Sequence, residues 1–501
     1  MNDKDMKTKI AKGTLVNFLG IIAKLLTPLY FIVITQLYGP AVVGVYLLAN
    51  TIIEMGINFT FSGFKDGILL YTSRHVEIKT EHDIIYRVIV NAFFVIFILF
   101  VVAVTLAYTA GPWIVSEYFE HEGLANALKI MSISLPFLAI PQITVAATKA
   151  KMIMKYDVIL IGTLRPLLMM LIAIGMYFVK PGIAGIASAY LVSNIIVTAV
   201  ALPIFNHHFS FQELFKRVRN FRFYPPLLSF SLPQNLNMTL TYFTSGVSVL
   251  MLGTHDISKA LIAFYGTGAE IVRQVKQVKI AFSTAFTPVI SRLHRENRMK
   301  ELEVYYSQIT RWIVSIVGPV LIAGLAFKEQ FLLVFHETYT YDSSFMIVLS
   351  LGTFAGCAFG IANNMVVMTG HSLMNLINSL FVGGAAFLFN WLFIPIWGLE
   401  GAAAATSLAF ITNISITNIE IYLLYGIHLR LSHVYKPFLS CIIASIVFLA
   451  VQALPMEGVV MSAITAAFSL GTFAISMLIM GVPEEDKAVL TSFVNKKKGK
   501  Q

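Results

Sequence analysis

The sequence predicts an all-α polytopic membrane protein, and three observations carry that prediction. Of its 501 residues, 57% are hydrophobic and only 12% are charged, with a mean hydropathy of +0.77, a balance foreign to soluble domains. Apolar runs of about 20 residues recur along the whole length, which is the helix length that a hydrocarbon layer of about 30 Å demands. The basic residues, finally, gather on alternate connections.

About fourteen transmembrane helices are expected, at 13–36, 41–70, 84–109, 125–149, 156–179, 182–205, 227–252, 258–290, 304–327, 344–369, 373–396, 399–425, 434–453 and 459–481. With both termini on the cytoplasmic side of a plasma (inner) membrane, 25 of the 36 Lys and Arg residues fall on cytoplasmic connections. Four (Lys129, Lys180, Lys259, Lys328) fall on the opposite side, and seven within spans. This placement accounts for the net charge of +10 without any nucleic-acid partner. The seven are Lys24, Lys65, Arg165, Arg273, Lys276, Lys279 and Arg311. Each would cost roughly 2.5–3.5 kcal/mol at the centre of a membrane helix, so most must share a polar interior.

Residues 1–12 are basic, and the apolar run from Leu15 to Thr35 is too long for a signal-peptide core, so an uncleaved first span is expected. Asn17, Gly20, Lys24 and Thr27 recur on one face of it, which suits either tight helix packing or a wet cavity. The second span holds Glu54 near its middle and the Lys65–Asp66 pair near its inner end, where mutual neutralisation is the plain reading. The third span is uniformly apolar and should be peripheral. Pro136 and Pro141 should bend or break the fourth. Arg165 stands before Pro166 about a third of the way into the fifth, where it either snorkels to headgroups or joins the interior. Residues 206–226 are basic and aromatic, and should lie as an amphipathic segment on the anionic inner leaflet. His207 and His208 lack a third metal ligand at suitable spacing.

The most polar interruption is Gly268 to Ile280, GAEIVRQVKQVKI. At about 100° per residue, Glu270, Arg273, Gln274 and Gln277 fall within roughly a quarter-turn, with Lys276 beside them. Such a stripe suits the wall of a water-filled path for something anionic. Lys279 falls on the apolar side and must snorkel or pair. The segment 328–336 reads as a short interfacial or re-entrant piece.

The chain also repeats itself. Gly182 and Gly185 of PGIAGIASAYLVSN correspond to Gly398 and Gly401 of WGLEGAAAATSLAFITN, a shift of 216, and LYGPAVVGVY matches LGTHDISKALIAFYG with Tyr46 on Tyr265. Two six-helix halves follow, residues 1–205 and 227–426, joined by the basic linker 206–226. Six is even, so the repeat is parallel with its pseudo-axis along the membrane normal. Glu54 then lies at the level of Arg273. Two further helices (427–481) and a basic cytoplasmic tail (482–501) complete the organisation. No G-x-x-x-x-G-K-[ST] loop occurs, and Cys357 and Cys441 both lie in spans as packing residues.

The segments LYGPAVVGVY, LIAFYGTGAE, PGIAGIASAY and WGLEGAAAAT resemble the polysaccharide-transporter branch of the multidrug, oligosaccharidyl-lipid and polysaccharide exporter superfamily, and most resemble Wzx-type oligosaccharide flippases. The resemblance implies two pseudo-symmetric lobes in a V around a central cavity. It also implies alternating-access transfer of a polyprenyl-diphosphate-linked oligosaccharide to the outer leaflet, with no enzymatic step. Lys24, Arg165, Arg273 and Lys276 would hold the anionic head group, with Gln277 beside them, and Glu54 and Glu270 would gate or couple by competing for the same cations. No cofactor or metal is expected, and a proton or sodium gradient is the energy source left open. Partners implied are the lipid-linked substrate, membrane lipids, and a glycan polymerase or glycosyltransferases of the same pathway. Many relatives carry an acidic–basic pair late in the seventh helix where this chain reads TYFTSGVSVLMLG, with Ser245 and Gly246, which weakens ion coupling through such a pair. The alternatives are a cation-coupled multidrug exporter, whose cavity should be acidic and aromatic whereas here span bases outnumber acids, a lipid II flippase, and a membrane glycan polymerase or ligase, which would need a larger outer loop than 109–124 or 328–343.

Overall fold

A computed structural model describes residues 26–75, 82–119, 121, 123–151, 153–255, 257–369, 372–454 and 458–481. Among these the chain is helical, with no strands. The helices are α1 (Leu26–Tyr38), α2 (Pro40–Ile57), α3 (Gly63–His75), α4 (His82–Tyr118), α5 (Leu124–Ser132), α6 (Leu135–Ala150), α7 (Arg165–Val179), α8 (Ile183–His208), α9 (Phe211–Arg219) and α10 (Pro225–Gly253). There follow α11 (Lys259–Gln274), α12 (Lys276–Arg295), α13 (Met299–Ala326), α14 (Lys328–Phe335), α15 (Ser344–Ala358), α16 (Ile361–Met368), α17 (Ser372–Tyr425), α18 (Leu431–Gln452) and α19 (Val459–Met480).

Each expected span is mainly helical where it is described, with breaks inside some of them. Among the described residues eight helices are long and apolar enough to cross a membrane, and ten if two bent pairs each count as one span. One bent pair is α5 with α6, at 43°, which is the break expected from the prolines. It falls at Ile133–Ser134, just before Pro136, and there Ser134 turns both its amide and its hydroxyl to the Met131 carbonyl. The other is α15 with α16, at 40°. The eighth span is less regular than its sequence suggests: it splits into α11 and α12 at Val275. Val275 and Val278 donate to the carbonyls three residues back, a tightened turn that rotates the following residues out of register with those before it.

The chain forms two compact units. The first comprises residues 1–271, 332–348 and 372–409. Within it α8 packs on α5, α6 and α7, α1 lies on α7, and α10 lies along α3. The apolar middle of α4 leaves Phe94, Phe97, Val101 and Leu106 exposed, as a peripheral, lipid-facing helix would. Three connections meet at one end of this unit: Lys151 donates to the His208 carbonyl, Arg217 pairs with Asp83, and Arg87 donates to the Arg222 carbonyl. Burial there pushes the Lys151 amine below the usual lysine range.

The repeated glycines do the same work in both copies. Gly182, before α8, and Gly398, at a kink that divides α17 into two helices, each take a positive φ, 95° and 55°, which a side chain would strain. Gly185 and Gly401 each lie so close to a carbonyl of the preceding helix end, Lys180 and Phe393, that a Cβ would collide with it. The second unit comprises residues 272–331, 349–371 and 410–501. Its core joins α13 to α18 and α19, with Cys441 packed on Gly318 and grouped with Val314 and Ala358. Tyr306 of α13 donates to Asn418 at 2.6 Å, and Arg430 pairs with the buried Glu303 at 2.8 Å.

Candidate functional site

In the first unit, two departures from α-helical winding lie beside two intramembrane charges. Helices α2 and α3 are continuous through a π-helical stretch, Asn58–Ser62, that begins one turn after Glu54. A second, Asp157–Leu164, ends where Arg165 begins α7. Such widened turns cost backbone hydrogen bonds and are concentrated at functional positions. Here the surroundings restore them. The Gly63 amide donates to Asn235 Oδ1 of α10 at 2.5 Å, and Asn235 Nδ2 points to the Thr60 carbonyl at 3.4 Å.

The two charges meet. Arg165 lies 3.7 Å from Glu54, with side chains 18% and 26% exposed. The same guanidinium donates to the Tyr190 hydroxyl at 3.2 Å and stands 5.7 Å from the centre of that ring. Arg165 therefore turns inward and does not snorkel. Around it are fully buried tyrosines: Tyr46 lies within electrostatic reach of both charges, and Tyr30 packs edge-on to Tyr46 with ring centres 6.2 Å apart. At 3.7 Å the Arg165–Glu54 contact is an ion pair and not a hydrogen bond. Among the described residues Arg165 Nε has no acceptor. That atom is buried, and Glu54 balances the charge of the guanidinium.

Sequence reasoning named Arg165 and Glu54 separately, the first as a ligand and the second as a gate; their pairing and the tyrosine wall were missed. A signal was present, because Tyr190 stands inside the repeated PGIAGIASAY segment and Tyr46 inside LYGPAVVGVY. The shift of 216 places Tyr190 on Thr406, and in the second copy Tyr265 and Thr406 again meet, their hydroxyls 3.5 Å apart. Thr406 also bonds Ser248 at 2.6 Å. Arg165 falls by the same shift on the exposed Phe381, so this copy has no matching cation there.

The polar stripe is divided by the tightened turn at Val275. Glu270 and Arg273 are one turn apart on α11, both half-buried, whereas Lys276 and Gln277 open α12. In the second unit the Lys276 amine stands 3.7 Å from the centre of the Phe410 ring, a cation–π contact. Lys279 places its amine against Gly360, beside Cys357, where α15 gives way to α16. A Cβ at Gly360 would strike that amine. Asp66 accepts from Gln234 at 3.4 Å. Lys24 lies outside the described residues. Among the described residues no three His, Cys, Asp or Glu side chains are placed to hold a metal ion.

No curated protein matches the chain in sequence. Solved structures do match in fold. A lipid II flippase MurJ in an inward closed conformation superposes with a TM-score of 0.73 at 13% identity, covering 93% of this chain and 98% of its own. An inward-facing multidrug resistance MATE family transporter of the MOP superfamily follows with a TM-score of 0.63 at 16% identity, covering 81% and 96%. The MATE multidrug transporter DinF-BH gives 0.62 at 16% identity, covering 83% and 96%. These TM-scores and coverages show a shared fold. The sequence profile of the polysaccharide biosynthesis protein family matches residues 10–294, more than half of the chain. The chain accordingly belongs to the polysaccharide biosynthesis protein family.

Proposed function

We propose that this protein is a flippase that moves a polyprenyl-diphosphate-linked oligosaccharide across the membrane by alternating access, from the cytoplasmic to the outer leaflet. The observation that supports this most is Arg165, an arginine within the helices, walled by tyrosines and paired loosely with Glu54. A diphosphate competes for the guanidinium through two parallel N–H···O bonds, which a carboxylate at 3.7 Å does not prevent. Aromatic walls suit both sugar rings and the hydroxyl contacts of a head group, while the polyprenyl tail remains in lipid. Arg273, Lys276 and Gln277, with Lys24, are the further positions assigned to the anionic head group, and Glu54 and Glu270 the positions that release it. Family membership supports a role in polysaccharide assembly, with glycosyltransferases and a polymerase as separate partners.

The test is binding of a short-chain polyprenyl diphosphate by the purified full chain, measured directly by calorimetry, with a cationic rhodamine dye offered separately. Saturable diphosphate binding that weakens in Arg165→Gln, with no dye uptake, is the expected result. Dye binding with indifference to diphosphate would assign the protein to cation export instead.

A further inference from the structure

A second built feature lies away from the Arg165 cluster. Helix α9 lies against the start of α4, and the groove along them has two compartments. One, of about 570 Å³, is almost wholly carbon, with Phe93, Phe94 and Phe97 of α4 facing Phe211 and Phe215 of α9. The other, also of about 570 Å³, holds Asp83, Arg87, Asn91, Arg217 and Arg222. Val90 and Phe221 line both, so the two are continuous.

The polar compartment is fixed by its own bonds. Arg87 donates to the carbonyls of Arg222 at 3.2 Å and Phe223 at 2.5 Å, and Asn91 holds the Arg222 carbonyl and the Tyr224 amide at 2.9 and 3.0 Å. Arg222 has its carbonyl tied in this way while the residue itself stays exposed. Three arginines against one aspartate leave this compartment with an excess of two positive charges, and the apolar one has none. Phe97 and Phe215 are 66% and 71% exposed, far more than apolar side chains of a finished core.

We propose that this groove holds one anionic glycerophospholipid, its phosphodiester against Arg217 and Arg222 and an acyl chain along Phe94 and Phe97. A cationic compartment that opens into an apolar one matches a ligand with a monoanionic head and a hydrocarbon tail. The head group of a zwitterionic lipid brings a cation that the arginines repel. A soluble anion would leave the phenylalanine compartment unfilled.

Native mass spectrometry of the detergent-purified full chain tests this with added dioleoyl phosphatidylglycerol, dioleoyl phosphatidylcholine and inorganic phosphate. The expected result is one retained phosphatidylglycerol per chain, weakened about tenfold by Arg222→Gln and unchanged by Arg219→Gln, an equal charge loss on the same segment outside the groove. Phe97→Ser should weaken it as well, with melting temperature unchanged because Phe97 is already exposed. Equal losses in Arg222→Gln and Arg219→Gln would reduce the effect to general surface charge and overturn the site. Equal retention of phosphatidylcholine, binding of phosphate alone, or displacement of the lipid by an equimolar polyprenyl phosphate would overturn the assignment of its occupant.

Discussion

Removing the charge of Glu54 perturbs the site most sharply, because it takes the countercharge from Arg165 and leaves it the neutral Tyr190 hydroxyl. Two unit charges about 4 Å apart attract by about 4 kcal/mol at an effective dielectric of about 20. The 18% and 26% exposure of the two side chains admits some solvent screening, so a coupling of about 2 kcal/mol is expected. A double-mutant cycle isolates it: Glu54→Gln, Arg165→Gln and the double variant, each followed by its unfolding midpoint in micelles. Each single change should destabilise, and the double variant should recover about 2 kcal/mol relative to their sum. The functional counterpart runs in opposite directions. Glu54→Gln removes the competitor, so diphosphate should bind about tenfold more tightly while transfer slows at release, whereas Arg165→Gln should bind weakly. Additivity to within about 0.5 kcal/mol, or identical binding in the two variants, would refute the pairing as the basis of grip and release.

Asn235→Ala should cost about 1–3 kcal/mol by stranding the Gly63 amide, and Asn235→Asp, which keeps an acceptor, should recover part of it; unfolding midpoints decide. Gly398→Ala should cost about 1–3 kcal/mol through its positive φ, and Gly401→Ala more, since its Cβ meets the Phe393 carbonyl; expression and melting temperature should rank them in that order. Lys276→Gln and Phe410→Leu should be non-additive by about 0.5–2 kcal/mol in the same kind of cycle, and simple addition would remove the cation–π contact from the account.

The spans were legible because the bilayer sets a minimum length for each, and the long described helices fall on apolar runs. The break before Pro136 was legible for the same local reason, a ring that removes a donor. The paired glycines were legible as a repeat, and the structure supplies the cause: one glycine at a positive φ and another against a carbonyl. What the sequence concealed is where helices depart from 3.6 residues per turn. Nothing in NFTFS or DVILIGTL announces a π-helical stretch, and no proline or glycine stands between Ala269 and Ile280 to mark the tightened turn at Val275. Those departures decide which residues meet. Arg165 and Glu54 are 111 positions apart, and only the packing of their helices brings them to 3.7 Å.

The reading as a lipid-linked oligosaccharide flippase stands or falls on transfer itself, measured as translocation of a fluorescent polyprenyl-diphosphate oligosaccharide in proteoliposomes. The parent protein should move the probe, while Arg165→Gln and the Arg273→Ala, Lys276→Ala pair should lose transfer with helix content unchanged. A parent that moves no probe yet extrudes organic cations, or variants at these positions that flip at the parental rate, would contradict it.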